Sequence, residues 1–371
     1  MRLLLVSDAR SIHTKRWARA ISDRGVEVIL YTLHQPSDDY FSSLGIEVVF
    51  FDLFKYQKEK GRPADKFISH FKCSSHLRKI LQDYKINILH AHYASSYGLV
   101  AALTHFRPFV LSVWGSDIYS FPNQSKANLY SIKYTLRSAD YLLSTSYAMA
   151  AYMKRFTSKE AIITPFGVDT KLFSPSVNII DNNYFSIGFV KSLAPIYGAD
   201  DVIDAFLLFQ SENPQVDARL TITGKGPDEQ RLKEKVSSLG LSDKIRFTGY
   251  IPNSELPELF RSLDVALFMS RQESFGVAAV EAMACGVPVV ATATDGFCEV
   301  IRDGLTGIIV PVGDTRAAAD ALKRLYSDPS LRKRFSCEGR RVVEKKYDWE
   351  DNVGIVMDLY KKIEDGRRTE R

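Results

Sequence analysis

The feature that most constrains the fold is a regular alternation of short apolar runs with helix-forming stretches along nearly the whole chain. Residues 2–7 read as a strand, 8–14 as a loop, 15–23 as a helix closed by Gly25, and 26–31 as a second strand. This βαβ opening implies a parallel sheet, because parallel neighbours need a crossover and the crossover helix packs on the sheet. The pattern continues with strands over 46–50, 86–90, 109–113, 141–145 and 161–164, and helices over 67–83, 97–105, 126–138 and 148–155; residues 54–66 read as charged loop. A second series has strands over 185–190, 218–223, 245–248, 265–269, 287–291, 299–301 and 307–310. Its helices are expected over 199–211, 229–239, 256–261, 315–327, 329–345 and 349–363, with a frayed tail. The expected class is α/β, with two Rossmann-like doubly wound parallel-sheet domains facing a ligand cleft at their C-terminal strand edges.

A length of 371 residues also suggests two domains at about 150 residues each. Pro175 and the polar run Asp181-Asn182-Asn183 support a boundary near 170–183, giving domains of 1–170 and 183–348. Hydrophobic residues at 45% and charged residues at 25% are ordinary for a soluble globular protein. Cys73, Cys285, Cys298 and Cys337 form no CxxC pair, which fits a reducing compartment and argues against a structural zinc site. The opening MRLLLV is too short for a signal peptide, and no apolar run approaches the roughly 18 residues of a membrane span, so a cytoplasmic location is expected. Charge is uneven. Residues 1–170 carry 22 Lys/Arg against 14 Asp/Glu, a net of +8, and the rest 27 against 30, a net of −3. The basic half is either a solvated surface or a face for an anionic membrane or partner. It lacks an aromatic-basic module for nucleic acid.

The stretch ESFGVAAVEAMACG, residues 273–286, reads as a tight loop feeding a helix stopped at Gly286, with Glu273 in the loop and Glu281 inside the helix. Such a unit can hold a ligand at the helix N-terminus. The plainer alternative is a capping Glu273 and a Glu281 on the solvated helix face. Eight helical residues rise about 12 Å, whereas paired glycosidase carboxylates sit roughly 5–9.5 Å apart, so the two acids suit separate binding duties. Other candidates stand just past strand ends: His13, His92, Asp117, Lys191, Lys225 and the Thr294-Asp295-Gly296 turn. Lys191 directly follows a strand and could hold a phosphate as a point charge. Gly224-Lys225-Gly226 lacks the Walker A spacing, and the first βα turn lacks GxGxxG.

Taken together, the chain resembles the GT-B, retaining, nucleotide-sugar-dependent glycosyltransferases of family 4. The likeness rests on E-x7-E at Glu273 and Glu281 within ESFG…EAMACGVPVV, PFGVD at 165–169, Gly224-Lys225-Gly226-Pro227, FTGYIP at 247–252, Gly296 with Glu299, and Asp303-Gly304 with Gly307, all in family order. The resemblance implies that Glu273 touches the donor hexose and Glu281 the ribose hydroxyls. It implies that Ser274, Phe275, Gly276 and Val277 offer backbone N–H groups to sugar and phosphate. Gly224 and Lys225 would line the nucleotide side, and Ile251 would meet the base. The family's Lys-Gly pair is here Tyr197-Gly198, which leaves Lys191 as the expected phosphate cation. The family's acceptor-side histidine is Trp114, which carries no proton chemistry and puts Asp117 or His92 in line for part of that polar role. The first domain would bind acceptor, the second the nucleotide sugar, and the helix from 349 would return to the first domain.

The expected reaction is retaining transfer of a hexose or N-acetylhexosamine, from a UDP-sugar in first place, with no metal or other cofactor. The expected acceptor is a glycan or polyprenyl-linked glycan in bacterial surface polysaccharide synthesis, with peripheral contact to the inner face of an anionic membrane. A GDP-mannose-dependent mannosyltransferase, a GT-B enzyme that rearranges or hydrolyses nucleotide sugars, and a non-catalytic sugar-nucleotide sensor stay open.

Overall fold

Each half of the chain builds a wholly parallel sheet whose central strands are covered on both faces, as crossover helices on either side require. The computed structural model describes residues 1–53, 63–176 and 183–369. The first sheet has seven strands: β1 (Arg2–Val6), β2 (Glu27–Thr32), β3 (Glu47–Phe50), β4 (Ile88–His92), β5 (Phe109–Val113), β6 (Tyr141–Ser144) and β7 (Ala161–Ile163), in the order β3-β2-β1-β4-β5-β6-β7. The second has six: β8 (Phe185–Val190), β9 (Ala218–Thr223), β10 (Ile245–Gly249), β11 (Val265–Phe268), β12 (Val289–Thr292) and β13 (Gly307–Val310), in the order β10-β9-β8-β11-β12-β13. Both orders reverse after the first strand, which is the doubly wound pattern. Every residue of β4, β5, β8, β11 and β12 is buried, so these central strands show no polar-outward alternation.

The chain divides into two compact units, Met1–Pro165 with Asp351–Arg371, and Phe166–Glu350. It enters the second unit at Phe166, ahead of the expected boundary near 170–183. The reason is local bonding: Val168 N–H donates to Tyr347 O at 2.7 Å, and Arg340 donates to the carbonyls of Thr170, Phe173 and Ala284. Arg261 adds bonds to the carbonyls of Leu172 and Ser174. The last helix begins at Trp349, as expected, and runs to Thr369. Of the tail expected to fray, the part up to Arg367 is held within the first unit, because the Arg367 guanidinium donates to Asn87 O and Arg107 O at 2.5 and 2.7 Å; residues 370–371 lie outside the described residues.

Other departures have equally local causes. The strand expected over 299–301 is the end of a helix, Asp295–Val300, whose Phe297 and Val300 are buried; a short β-branched run misled the reading. The first helix starts at Ile12, three residues before expected. The loop expected over 54–66 lies outside the described residues up to 62, and from Pro63 the chain is helical to Asp83. His92 is not past a strand end but is the last residue of β4, and it is buried.

Candidate functional site

Open parallel sheets bind ligands beyond the carboxyl ends of their strands, where the strand order reverses. In the second unit that point lies between β8 and β11. Lys191 is the first residue after β8, and Glu273 stands in the loop after β11. Their side chains form an ion pair, with 15% and 10% of each still exposed. The Lys191 ammonium also lies 4.9 Å from the centre of the Tyr197 ring, whose face supports it.

Close backbone approach builds this edge. Gly224 has φ +136°, and a Cβ there would lie 1.9 Å from Lys191 O, so only glycine lets the β9 loop touch the β8 loop. Leu193 N–H donates to Lys225 O at 3.0 Å and completes that contact. A Cβ on Gly198 would meet Met269 O at 2.0 Å, which seats the Tyr197 turn on the loop after β11. Gly296 does the same for the Glu273 loop: its N–H donates to Glu273 O at 3.0 Å, and a Cβ would lie 2.5 Å from Phe275 N.

The Glu273 loop then enters the helix Val277–Ala284 through Gly276, which has φ +91° and is the N-cap. Glu273 is therefore not the cap. Phe275 is buried against Phe166 and Tyr347, so its side chain belongs to the core and only its backbone can face a ligand. Ser274 and Val277 are half-buried beside it. The first-turn amides of such a helix have no acceptors within it and favour an anion. Glu281 is 4% exposed, which overturns the solvated-face alternative. Asn253, in the loop after β10, donates its Nδ2 to Glu281 Oε1 at 2.9 Å. Ile251 is half-buried in the same loop, and the exposed Lys225 passes its stem over Gly249.

The corresponding edge of the first unit, between β1 and β4, has a different character. His92 Nδ1 and Ser7 Oγ are 3.1 Å apart, and Ser7 Oγ is 2.7 Å from Thr14 Oγ1. Burial holds His92 well below the usual histidine range, so it is neutral. Its ring lies 4.4 Å from that of Trp114, which also meets His13 at 5.8 Å and Tyr93 at 5.3 Å. Asp117 is buried, and its carboxylate accepts from the backbone N–H groups of Ala94, Trp114 and Gly115 at 2.8, 3.2 and 2.8 Å. Burial raises its pKa and these amides oppose the rise. The expected polar role of Asp117 is thus spent inside the loop, where it fixes the positions of Tyr93–Ala94 and Trp114–Gly115. Behind His92, His90 bonds to Ser112 Oγ at 2.8 Å and to the Tyr360 hydroxyl of the last helix.

The structure thus joins Lys191 to Glu273, and brings Gly224 and Lys225 to them through backbone contacts. Glu281 and Ile251 belong to a neighbouring pair of segments. Sequence reasoning missed Asn253, whose partner lies 28 residues away and gives no local signal. It also missed the hydroxyls of Ser270 and Thr294, which are buried after β11 and β12 with no hydrogen-bond partner among the described residues. Among those residues no group of three or more His, Cys, Asp or Glu is arranged around a metal position.

Comparison with known proteins agrees with this architecture. Residues 2–146 match the family described as glycosyl transferase 4-like, and residues 171–342 match glycosyl transferases group 1. An uncharacterized glycosyltransferase of Methanocaldococcus jannaschii is 24% identical over 96% of this chain and 95% of its own. The N-acetyl-alpha-D-glucosaminyl L-malate synthase of Bacillus anthracis is 27% identical over 77% of each chain. Among solved structures, Anabaena HepE in complex with UDP superposes with a TM-score of 0.83 at 18% identity, covering 98% of this chain and all (100%) of that one. With two parallel-sheet units and two adjoining family matches spanning most of its length, the chain belongs to the group 1, family 4-like glycosyltransferases of GT-B fold.

Proposed function

We propose that this chain is a retaining glycosyltransferase that moves a hexose or N-acetylhexosamine from a UDP-sugar to a glycan or lipid-linked glycan. The observation that carries the reading is the Lys191–Glu273 pair at the strand-order reversal of the second unit. A cation and a carboxylate there match the two ends of a sugar diphosphate. Donor binding exchanges partners: Lys191 turns to diphosphate oxygens, and Glu273 is released to accept from sugar hydroxyls. Glu281, held by Asn253, takes the ribose hydroxyls, and the loop around Ile251 flanks the base. The UDP complex of the Anabaena protein of like fold favours uridine.

As the glycosidic bond to the diphosphate breaks, negative charge grows on the leaving oxygen. Lys191 and the amides from Ser274 to Val277 oppose that charge, the arrangement that lowers such barriers most. The acceptor hydroxyl attacks from the leaving-group face and passes its proton to the departing phosphate, so the anomeric configuration is kept. This route asks for neither an enzyme nucleophile nor a metal.

A panel of UDP-glucose, UDP-N-acetylglucosamine and GDP-mannose, scored for protection from unfolding and for hydrolysis with and without glycan acceptors, tests the reading. Protection by a UDP-sugar, with a product of retained configuration by NMR, is expected. Stronger protection by GDP-mannose would move the assignment to a mannosyltransferase. Binding with no turnover on any acceptor would point to a sensor.

A further inference from the structure

The first unit carries an apolar groove of about 500 Å³ that the transfer reading does not use. It lies over the helix Ser96–Ala102, between the helices Pro63–Asp83 and Lys126–Ser138, both of which pack on that central helix. Leu99 and Leu103 line its base, with His70 and Phe71 on one side and Tyr130 and Tyr134 on the other. The rim is unusually exposed for such residues: Phe71 at 48%, Tyr130 at 69%, Tyr134 at 37%, and nearby Ile68 at 49%. A contiguous apolar surface of this kind marks a contact site.

The charges around the groove indicate what covers it. Lys126, Lys133 and Arg137 stand on one flanking helix, which has no acidic residue. Over the described side chains of the other, residues 68–83, Lys72, Arg78 and Lys79 face a single acid, Asp83, at the far end. Arg78 is tied to the carbonyls of Leu103 and Thr104. Lys126, Lys133 and Arg137 share the helix that carries Tyr130 and Tyr134, within one turn of these rings. The central helix carries no charge. An apolar contact or a basic patch alone gives only marginal attachment to a bilayer, whereas the two together give a stable one.

We propose that this face docks on a bilayer containing anionic lipid. A hydrocarbon chain of that lipid lies in the groove, and phosphate headgroups meet Lys126, Lys133 and Arg137. The aromatic rings of Tyr130 and Tyr134 suit the interface between chains and headgroups. The purpose of the contact rests on the lipid-linked acceptor reading above, since it would bring the enzyme to its acceptor; the contact itself is tested without any donor.

The full chain is sedimented with phosphatidylcholine vesicles, with and without phosphatidylglycerol. Binding is expected only with the anionic lipid, falling about tenfold or more when salt is raised from low to about 0.5 M, which shortens the range of the attraction. The variants Phe71→Ser/Tyr130→Ser and Lys126→Glu/Lys133→Glu/Arg137→Glu should each lose about tenfold or more in vesicle binding. Both should keep the nucleotide-sugar protection of the parent chain, which shows that they fold. Failure of the parent to bind anionic vesicles overturns the proposal, as does undiminished binding by the aromatic variant. Self-association that vanishes in the variants, with no vesicle binding, also overturns it and assigns the face to a second copy. No protection of the parent chain by any nucleotide sugar, with intact vesicle binding, would instead sink the transferase reading and leave this one standing.

Discussion

The two units share a strand order and differ in what they place at its reversal. In the second unit the position after β8 holds the cation of a charged pair that solvent still reaches. In the first, the equivalent edge holds a buried neutral imidazole, two hydroxyls and an indole, while its ion pair, Asp8–Arg10 in the loop after β1, is more exposed. The winding determines where a crevice forms, and side chains decide what lines it: a largely enclosed ion pair in the second unit, a buried polar cluster beside a more exposed ion pair in the first. The difference extends to titratable groups. All seven histidines, from His13 to His105, belong to the first unit.

The largest effect expected on this contrast comes from Lys191→Ala. It leaves Glu273 without its cation and removes the charge opposing the leaving group, so turnover should fall about 100- to 1,000-fold, as for other lost electrostatic donors. Initial rates with a saturating donor measure it. A loss below tenfold would make the second crevice no more electrostatic than the first. Next, Glu281→Ala should weaken donor binding roughly 10- to 100-fold, the range for hydrogen bonds to a charged group, read by calorimetry with the donor the panel selects. Unchanged affinity would contradict the ribose assignment.

A third prediction concerns the first unit alone. Burial lowers the pKa of His90 to about 3 and that of His92 well below its ordinary value. Below pH about 6.5 the unfolded chain takes up protons that these buried rings refuse. Stability is therefore fully present above that pH and falls as pH drops, by about 1.4 kcal/mol per pH unit for each ring. Calorimetry between pH 7 and 5 should show the first unit's transition moving down further than the second's, and His90→Gln should flatten the slope. Equal shifts in both transitions would erase the contrast. The smallest effect expected is from Glu273→Gln. Freeing Lys191 from its carboxylate should tighten UDP binding about 3- to 10-fold, a change on the scale of one partly buried ion pair. Weaker UDP binding would mean that the pair helps form the site and does not compete with the donor.

How legible the site was depends on the distance over which each contact acts. Glu273, Glu281 and Lys191 could be read from the chain because their neighbours in sequence set their loop, helix and strand-end positions. Gly224, Gly198 and Gly296 could be seen as glycines, but the contacts that require them are with Lys191, Met269 and Phe275 on other segments. Asn253 gave no signal for the same reason. Asp117 misled because a carboxylate beside a strand end looks available until loop amides are seen around it. The run over 299–301 misled because three residues are too few for periodicity to separate a strand from a helix end.

The sequence by itself determined the two parallel sheets, the family and the carboxylates at the second unit's edge, since these depend on hydrophobic period and short motifs, which are local. Only the tertiary structure decided that Lys191 and Glu273 neutralise each other, that Glu281 is buried against Asn253, and that Trp114 sits in a cage with His92. Those facts depend on residues far apart in the chain meeting at one edge, and on the loss of water there, which no local pattern records.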